Sequence, residues 1–472
     1  MPERESLSTS IRNKIEQQLH KLVTRSHHAS QPKDDRIPAT FLQAGAPRFW
    51  LAVLCIGIGA GVGAVILTRL LEIVQHLVWA GSGTDILDAA SHAGAWRHIV
   101  VLLGAGAVVG IGQLVLVRLS SGNGIDITSA IWFSAGRLPV VRTLGSAVLS
   151  VVVVGMGASL GREGAPKQAG AVVADLISDK ARLSDEQRRL LVACGAGAGM
   201  GAAYGVPLGG ALFALEVLRG MLALRLVLPA LLASLVATTI SWLVLPNAPT
   251  YQIPSFPYSA GALAWALVIG PIAGLVSVGY VKTVAWADRN KPTGWHRLAA
   301  PVLVLGLLGL ISVKFPQLLG NGSDLSQLLY VGGITSSALL MPLLILKPVA
   351  TVACLGSGAP GGLFTPSLTL GALLGGTLGH FGSQLGSGVP LGLSAVLGAG
   401  AVLAATTQGP ISAVVLMMEL TGRDRSFMAP LLLAVIAATL VSRLIEPRSI
   451  YDARLSDKEV KARLAAREPS PQ

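Results

Sequence analysis

Charge is what this chain has least of: Asp, Glu, Lys and Arg make up only 13% of its 472 residues, about half the share usual in a soluble domain. None of the four occurs in the stretches 49–68, 98–117, 143–161, 226–281, 325–346 or 348–418. The first three are each long enough to cross a bilayer once as a helix of roughly 20 residues. The last runs for 71 residues with one histidine and must hold several elements. A soluble fold is thereby excluded, and an all-α polytopic membrane protein is expected. Cysteine is scarce too. Cys55, Cys194 and Cys354 sit in apolar runs without CxxC spacing, so they read as packing residues rather than metal ligands or a disulfide framework. No secretory leader is expected either, since 48 residues of mixed charge precede the first apolar run.

Against this background the net charge of +12 needs an explanation. A nucleic acid or an acidic ligand would be one partner for it, but much of the excess lies in two tails. Arg4, Arg12, Lys14, Lys21, Arg25, Lys33, Arg36 and Arg48 precede the spans. Arg443, Arg448, Arg454, Lys458, Lys461, Arg463 and Arg467 follow them. Positive flanks face the cytoplasm, so both termini are expected inside a cell membrane and no nucleic-acid partner is implied. The expected organisation is a cytoplasmic tail over 1–46, a membrane domain over 47–446, and a cytoplasmic C-terminal helix and tail over 447–472 with no further folded domain. Leu7, Ile11, Ile15, Leu19 and Leu22 recur at helical spacing, which predicts a surface amphipathic helix over 6–24.

Spans are expected near 49–77, 97–118, 143–160, 299–313, 335–354, 367–387, 391–406, 410–421 and 428–445, with 190–218 and 226–281 also returning to the membrane. Some are too short to cross fully, which suits broken or re-entrant helices inside a bundle. The segment Asp175–Arg189 carries eight charges and is expected to be a solvated link. Glycine and proline break the apolar runs at Gly122–Asp126, at Gly161-Arg162-Glu163-Gly164-Ala165-Pro166 and at Gly356–Pro366. Two of these breaks are related by an internal repeat. At a shift of 203, Cys194–Leu218 lies over Leu397–Thr421 with seven identities, Pro207/Pro410 and Glu216/Glu419 among them. At a shift of 200, Gly161 falls on Gly361 and Pro166 on Pro366. Broken helices in corresponding halves of a repeat point to a transporter with its site at the repeat interface.

Glu163 stands out at the second break, because an acidic side chain at a membrane-helix centre costs about 2.5–3.5 kcal/mol and marks a pathway by default. The plain alternative is a solvated loop at the membrane surface. If the helices that restart after the breaks converge, their free backbone N–H groups and positive dipole ends make an anion site without metal or cofactor. Partial charges also release an anion more readily than a full lysine or arginine would. Gly57, Gly59, Gly61 and Gly63 are better read as close helix packing than as a dinucleotide loop, since no βαβ context surrounds them.

The strings GREGAP (161–166), GSGAPGGLFTP (356–366), GNGI (122–125) and SIYDARL (449–455) resemble, in order and spacing, the CLC family of chloride channels and proton-coupled anion antiporters. The likeness runs from about 49 to 460. It implies an inverted-repeat membrane fold with broken, re-entrant helices, forming a homodimer with one pore per subunit. Carried over by position, Glu163 is similar to the gating glutamate, which competes with the anion and takes up a proton. Asn123, Gly164, Leu363, Phe364 and Tyr451 correspond to the anion-binding positions. Gly122, Gly124, Gly161, Arg162, Pro166, Gly362 and Pro366 belong to the helix-break motifs. Tyr451 also reads as an ordinary interfacial aromatic.

Departures from the family pattern bear on the substrate and mechanism. Asn123 stands where the family has serine, and asparagine there resembles the fluoride/proton antiporter branch; a register through Ser121-Gly122 restores serine but loses the Gly-x-Gly-Ile match. Asp126 stands in place of proline. Val217 stands where many chloride/proton antiporters carry an inner glutamate, which leaves channel and antiporter open. Glu216 is expected to pair with Arg219, and Glu419 with Arg423. Ala165 follows the second glycine of the gating string, with Pro166 one place later but still within the first turn of a helix.

An intramembrane serine hydrolase is the alternative from another class. Gly157-Ala158-Ser159-Leu160-Gly161 fits the Gly-x-Ser-x-Gly frame with His380 as base, yet that frame belongs on a strand–turn–helix elbow. The expected activity is gated transport of chloride, with fluoride/proton exchange as the rival. Arg162 and Lys167 have no role legible at this level.

Overall fold

The computed structural model describes residues 37–38, 45–79, 85–119, 126–256, 259–422 and 427–455. The helix expected over 6–24 lies outside them. Among the described residues the chain forms 17 α-helices. The first five are α1 (Ala46–Trp79), α2 (Ile86–Ser91), α3 (Ala95–Leu119), α4 (Ile127–Phe133) and α5 (Val140–Gly155). After the Glu163 break come α6 (Gly164–Lys180), α7 (Asp185–Tyr204) and α8 (Pro207–Leu212), the last running on as a π-helical turn, Phe213–Arg219. Then follow α9 (Leu224–Trp242), α10 (Ala260–Arg289), α11 (His296–Ser312), α12 (Ser323–Tyr330) and α13 (Ser337–Gly356). The third break leads into α14 (Phe364–Gln384), α15 (Leu391–Thr407), α16 (Pro410–Thr421) and α17 (Met428–Ile445).

Six of these, α1, α3, α9, α10, α13 and α17, are long and apolar enough to span a bilayer. They leave many large side chains uncovered, such as Leu51, Ile58 and Ile66 on α1, an arrangement stable in hydrocarbon but not in water. The opposite composition fills the centre. On α15 every residue from Gly392 to Thr407 is buried, and α7 and α14 are buried along most of their lengths. Small residues let these helices approach closely. A Cβ at Gly170 of α6 would collide with the carbonyl oxygen of Gly195 on α7, and one at Gly371 of α14 with that of Gly398 on α15. The same contact is thus built once in each half of the repeat. The four glycines of α1 are packing residues as well: Gly57 and Gly61 lie against the α9 backbone, Gly59 and Gly63 against Val173 and Ala169 of α6.

Two expectations need correction. The segment Asp175–Arg189 is solvated at Asp179, Lys180, Arg182 and Asp185 as expected, but it is largely helical rather than an open link. Helix α6 runs to Lys180, α7 starts at Asp185, and only a short turn separates them. Its buried arginine, Arg188, pairs with Asp175 at 3.3 Å and with Asp179 at 2.9 Å. The signal was present in Ser184-Asp-Glu-Gln187, a capping box in which Ser184 and Gln187 satisfy each other's backbone N–H groups. Nor does Glu216 pair with Arg219. Arg219 bonds Glu186. Glu216 accepts the N–H groups of Ile411 and Ser412 at 3.2 and 2.6 Å, capping α16. Glu419 in turn accepts those of Leu208 and Gly209 at 3.0 and 2.6 Å, capping α8. Arg423 lies outside the described residues.

One buried lysine ties the periphery to the site. Lys347 of α13 is 1% exposed, and its ammonium donates to the carbonyls of Leu318, Leu319 and Gly320 at 2.9, 3.2 and 3.0 Å. The Gly320 N–H then donates to Gly157 at 3.0 Å, at the turn that leads to the Glu163 break.

Candidate functional site

The two breaks related by the repeat lie side by side. Gly161 and Gly362 exchange backbone hydrogen bonds of 2.8 Å each way, an isolated antiparallel bridge. Only backbone without side chains comes this close: Gly164 packs on Gly361 and Gly362, and a Cβ on Gly361 would overlap Leu160. Two helices therefore begin next to one another, α6 at Gly164 and α14 at Phe364. Pro166 and Pro366 both fall in first turns, where a missing N–H costs nothing.

Glu163 is fully buried between them. One carboxylate oxygen accepts the Phe364 N–H at 2.6 Å. The other accepts the Thr365 hydroxyl at 3.2 Å, with the Tyr204 hydroxyl at 3.5 Å. Tyr204 and Thr365 are 2.8 Å apart, so Tyr204 can donate to Thr365 while Thr365 donates to the carboxylate. Among the described residues Glu163 has no ion pair, and its charge rests on hydrogen bonds and a helix N-terminus. Arg162 turns away and lies over the Tyr204 ring, 4.9 Å from its centre. Sequence reasoning missed both hydroxyls. Thr365 was visible inside the 356–366 string, whereas Tyr204 sits at the end of α7 and nothing in sequence ties it to Glu163.

Tyr451 occupies a turn that other elements hold in position. The Ile450 N–H donates to the Thr406 carbonyl at the end of α15, at 2.7 Å, and Arg454 reaches Asp288 of α10 at 3.0 Å. The Tyr451 ring meets Phe213 edge-on at 5.9 Å, and Phe213 meets Phe364 at 6.4 Å. An aromatic series thus runs from Tyr451 to the residue that holds Glu163. Beside it lies a cavity of about 820 Å³ lined by Gly164, Lys167, Gly362, Leu363 and Tyr451. Farther out its wall carries Arg137, Arg142, Lys291, Arg297 and Arg454 against Asp126 and Asp288. A cleft so dominated by one sign raises the local concentration of anions. Burial and the nearby Arg454 push the Lys291 ammonium below its usual range.

The structure thus brings together Glu163, Gly164, Leu363, Phe364 and Tyr451, five of the expected site residues. Asn123, Gly122 and Gly124 lie outside the described residues. Asp126, just after them, caps α4 by accepting the Ser129 N–H at 3.0 Å and lines the cavity. Val217 is buried and borders a separate cavity of about 340 Å³ that Glu216 also lines. The hydrolase frame has no supporting geometry. Ser159 is buried with its hydroxyl 3.4 Å from Thr351, and His380 pairs with Gln384 one turn along α14.

Known proteins resemble this chain along most of its length. The family model described as voltage gated chloride channel matches residues 105–443. A voltage-gated ClC-type chloride channel ClcB of Escherichia coli is 30% identical over 85% of this chain and 97% of its own. An H+/Cl− exchange transporter ClcA of Vibrio campbellii is 28% identical over 91% and 94%. Among solved structures, a slow cyanobacterial Cl−/H+ antiporter superposes with a TM-score of 0.74 at 22% identity, over 89% of this chain and 99% of that one. A CLC-type fluoride/proton antiporter does so with a TM-score of 0.72 at 23% identity, over 88% and 99%. The matched family model, the two relatives and the shared inverted-repeat fold agree: this multi-pass membrane chain belongs to the voltage gated chloride channel, or CLC, family.

Proposed function

We propose that this protein moves chloride across a cell membrane and that Glu163 is its gate. The observation that carries this reading is the docking of the Glu163 carboxylate on the Phe364 N–H at 2.6 Å. Charged, the carboxylate fills a site built for an anion and acts as a tethered competitor. Protonated, it loses the charge that holds it at the α14 N-terminus and becomes a weaker acceptor, so a free anion can take over the same donors. Gly164, Leu363 and Phe364 then offer backbone N–H groups, and Tyr451 a hydroxyl. No metal or cofactor enters this scheme, and the activity is transport rather than catalysis.

Val217 supplies no titratable group at the position where an inner acid would pass a proton on, which favours loose coupling or none between anion and proton. Chloride is the substrate named for both curated relatives; Asn123 supports fluoride as the second candidate. The membrane domain spans 47–446, both basic tails face the cytoplasm, and two copies assemble with one pore each.

Purified protein in liposomes tests this directly, with chloride and fluoride efflux measured with and without a pH gradient. Chloride efflux should depend on pH in the wild type, and Glu163→Gln should abolish that dependence. Unchanged flux and pH dependence in Glu163→Gln would remove the gate assignment. Fluoride efflux without chloride efflux would replace the substrate.

A further inference from the structure

Lys167 lies one turn beyond Glu163 on the same face of α6. It is 5% exposed. Its ammonium donates to the Tyr451 hydroxyl at 3.3 Å and sits 4.8 Å from the centre of the Tyr451 ring and 5.3 Å from that of Phe213. Among the described residues it makes no ion pair. Of the two acids that attract it, Glu163 is committed to Phe364 and Thr365, and Asp126 to the Ser129 N–H.

This is a poor place for an unpaired cation. Burial penalises a charge that lacks a partner, and the first turn of a helix carries the positive end of its dipole. The two rings offset only part of that cost. Glu163 and Asp126 attract Lys167 without pairing, while Arg454, which also lines the cavity, repels it. A negative charge in the cavity that Lys167 lines offsets the burial, the dipole and the repulsion together. The Tyr451 hydroxyl is arranged to match. Its oxygen accepts from Lys167, which leaves its own hydrogen free to donate. An ammonium and a hydroxyl therefore converge on the same space with donors to spare.

We propose that Lys167 adds a fixed positive charge to the anion position at the Tyr451 hydroxyl, on the cavity side of the Glu163 gate. The site holds the permeating halide before it exchanges with the gate carboxylate. It deepens the transport reading given above and rests on it. The helix-terminus site releases anions readily because its charges are partial; the Lys167 site holds them more tightly and keeps one waiting beside the gate.

Two measurements on the full-length protein separate this proposal from the transport reading. Chloride titrated calorimetrically into wild type, Lys167→Met and Lys167→Arg should give a dissociation constant raised roughly tenfold or more by methionine and largely restored by arginine. Crystals of wild type and Glu163→Gln soaked in bromide should show anomalous scattering within hydrogen-bonding reach of Lys167 Nζ, a readout that needs no Lys167 variant to fold. Equal chloride affinity in wild type and Lys167→Met, or bromide beside Phe364 but never beside Lys167, overturns the lysine site and leaves the gate intact. Failure of the wild type to bind or move any halide overturns both.

Discussion

Glu216 and Glu419 cap each other's helices. Glu216, on the turn that continues α8, accepts the N–H groups of Ile411 and Ser412 on α16, and Glu419 on α16 accepts those of Leu208 and Gly209 on α8. The exchange is symmetric across the repeat, and it explains why a glutamate recurs 203 positions on. Inside a membrane bundle no water is at hand for the first N–H groups of a helix, so a carboxylate from the neighbouring half satisfies them.

Removing either charge should therefore destabilise the protein. Glu216→Gln and Glu419→Gln are each expected to cost about 1–2 kcal/mol, the loss of a charge-assisted cap. Because both act on one helix pair, the double variant should cost less than the sum. Chemical unfolding in detergent measures all three, and strict additivity would mean that the caps are independent.

Thr365 holds the Glu163 carboxylate by a hydroxyl that valine lacks. Thr365→Val should weaken the docked state by about 1.5–3 kcal/mol, the worth of a hydrogen bond to a charged group. Chloride efflux should then persist to higher pH than in the wild type. Tyr204→Phe should shift the profile less, since its contact with Glu163 is longer. Identical pH–flux curves for Thr365→Val and wild type would show that the Phe364 N–H alone sets the gate.

Lys347 contributes through three backbone carbonyls rather than through an acid. Lys347→Met keeps the apolar stem but leaves those carbonyls buried without a donor, a loss of about 2–4 kcal/mol. Thermal unfolding in detergent should detect it. Flux should fall only as far as folded protein is lost, because the lysine touches the loop behind Gly157 and not the cavity.

Glu446 supplies a pH test outside the spans. Hydrogen bonds from Arg448, at 2.6 and 2.8 Å, hold its carboxyl below the usual 4.5 against the opposing effect of burial. A depressed folded value makes the contribution complete above the ordinary carboxylate range and removes it as pH falls through the folded value. The wild type should therefore melt higher than Glu446→Gln at pH 7, and the gap should close in strong acid. A gap that does not change with pH would assign the contact to shape rather than charge.

The uncharged runs by themselves determined that the chain lives in a bilayer, because no other solvent accepts such stretches as helices. Glycine and proline marked the breaks, since backbone geometry is a property of the residue and needs no neighbour. The match of Gly161 with Gly361 and of Pro166 with Pro366 already set two breaks in equivalent halves. Glu163 bonds the Phe364 N–H for that reason, and Gly164 and Leu363 line one cavity with Tyr451. Only the folded chain decided which partner each buried charge takes. Glu216 has Arg219 within a turn in sequence, yet it bonds a helix almost 200 positions away. Lys167 passes over Glu163 for Tyr451, and Tyr204 reaches the gate from the end of another helix. Local spacing identifies the partners a side chain could reach within one helix. In a bundle where every buried donor must be satisfied, the helix packed alongside settles the choice.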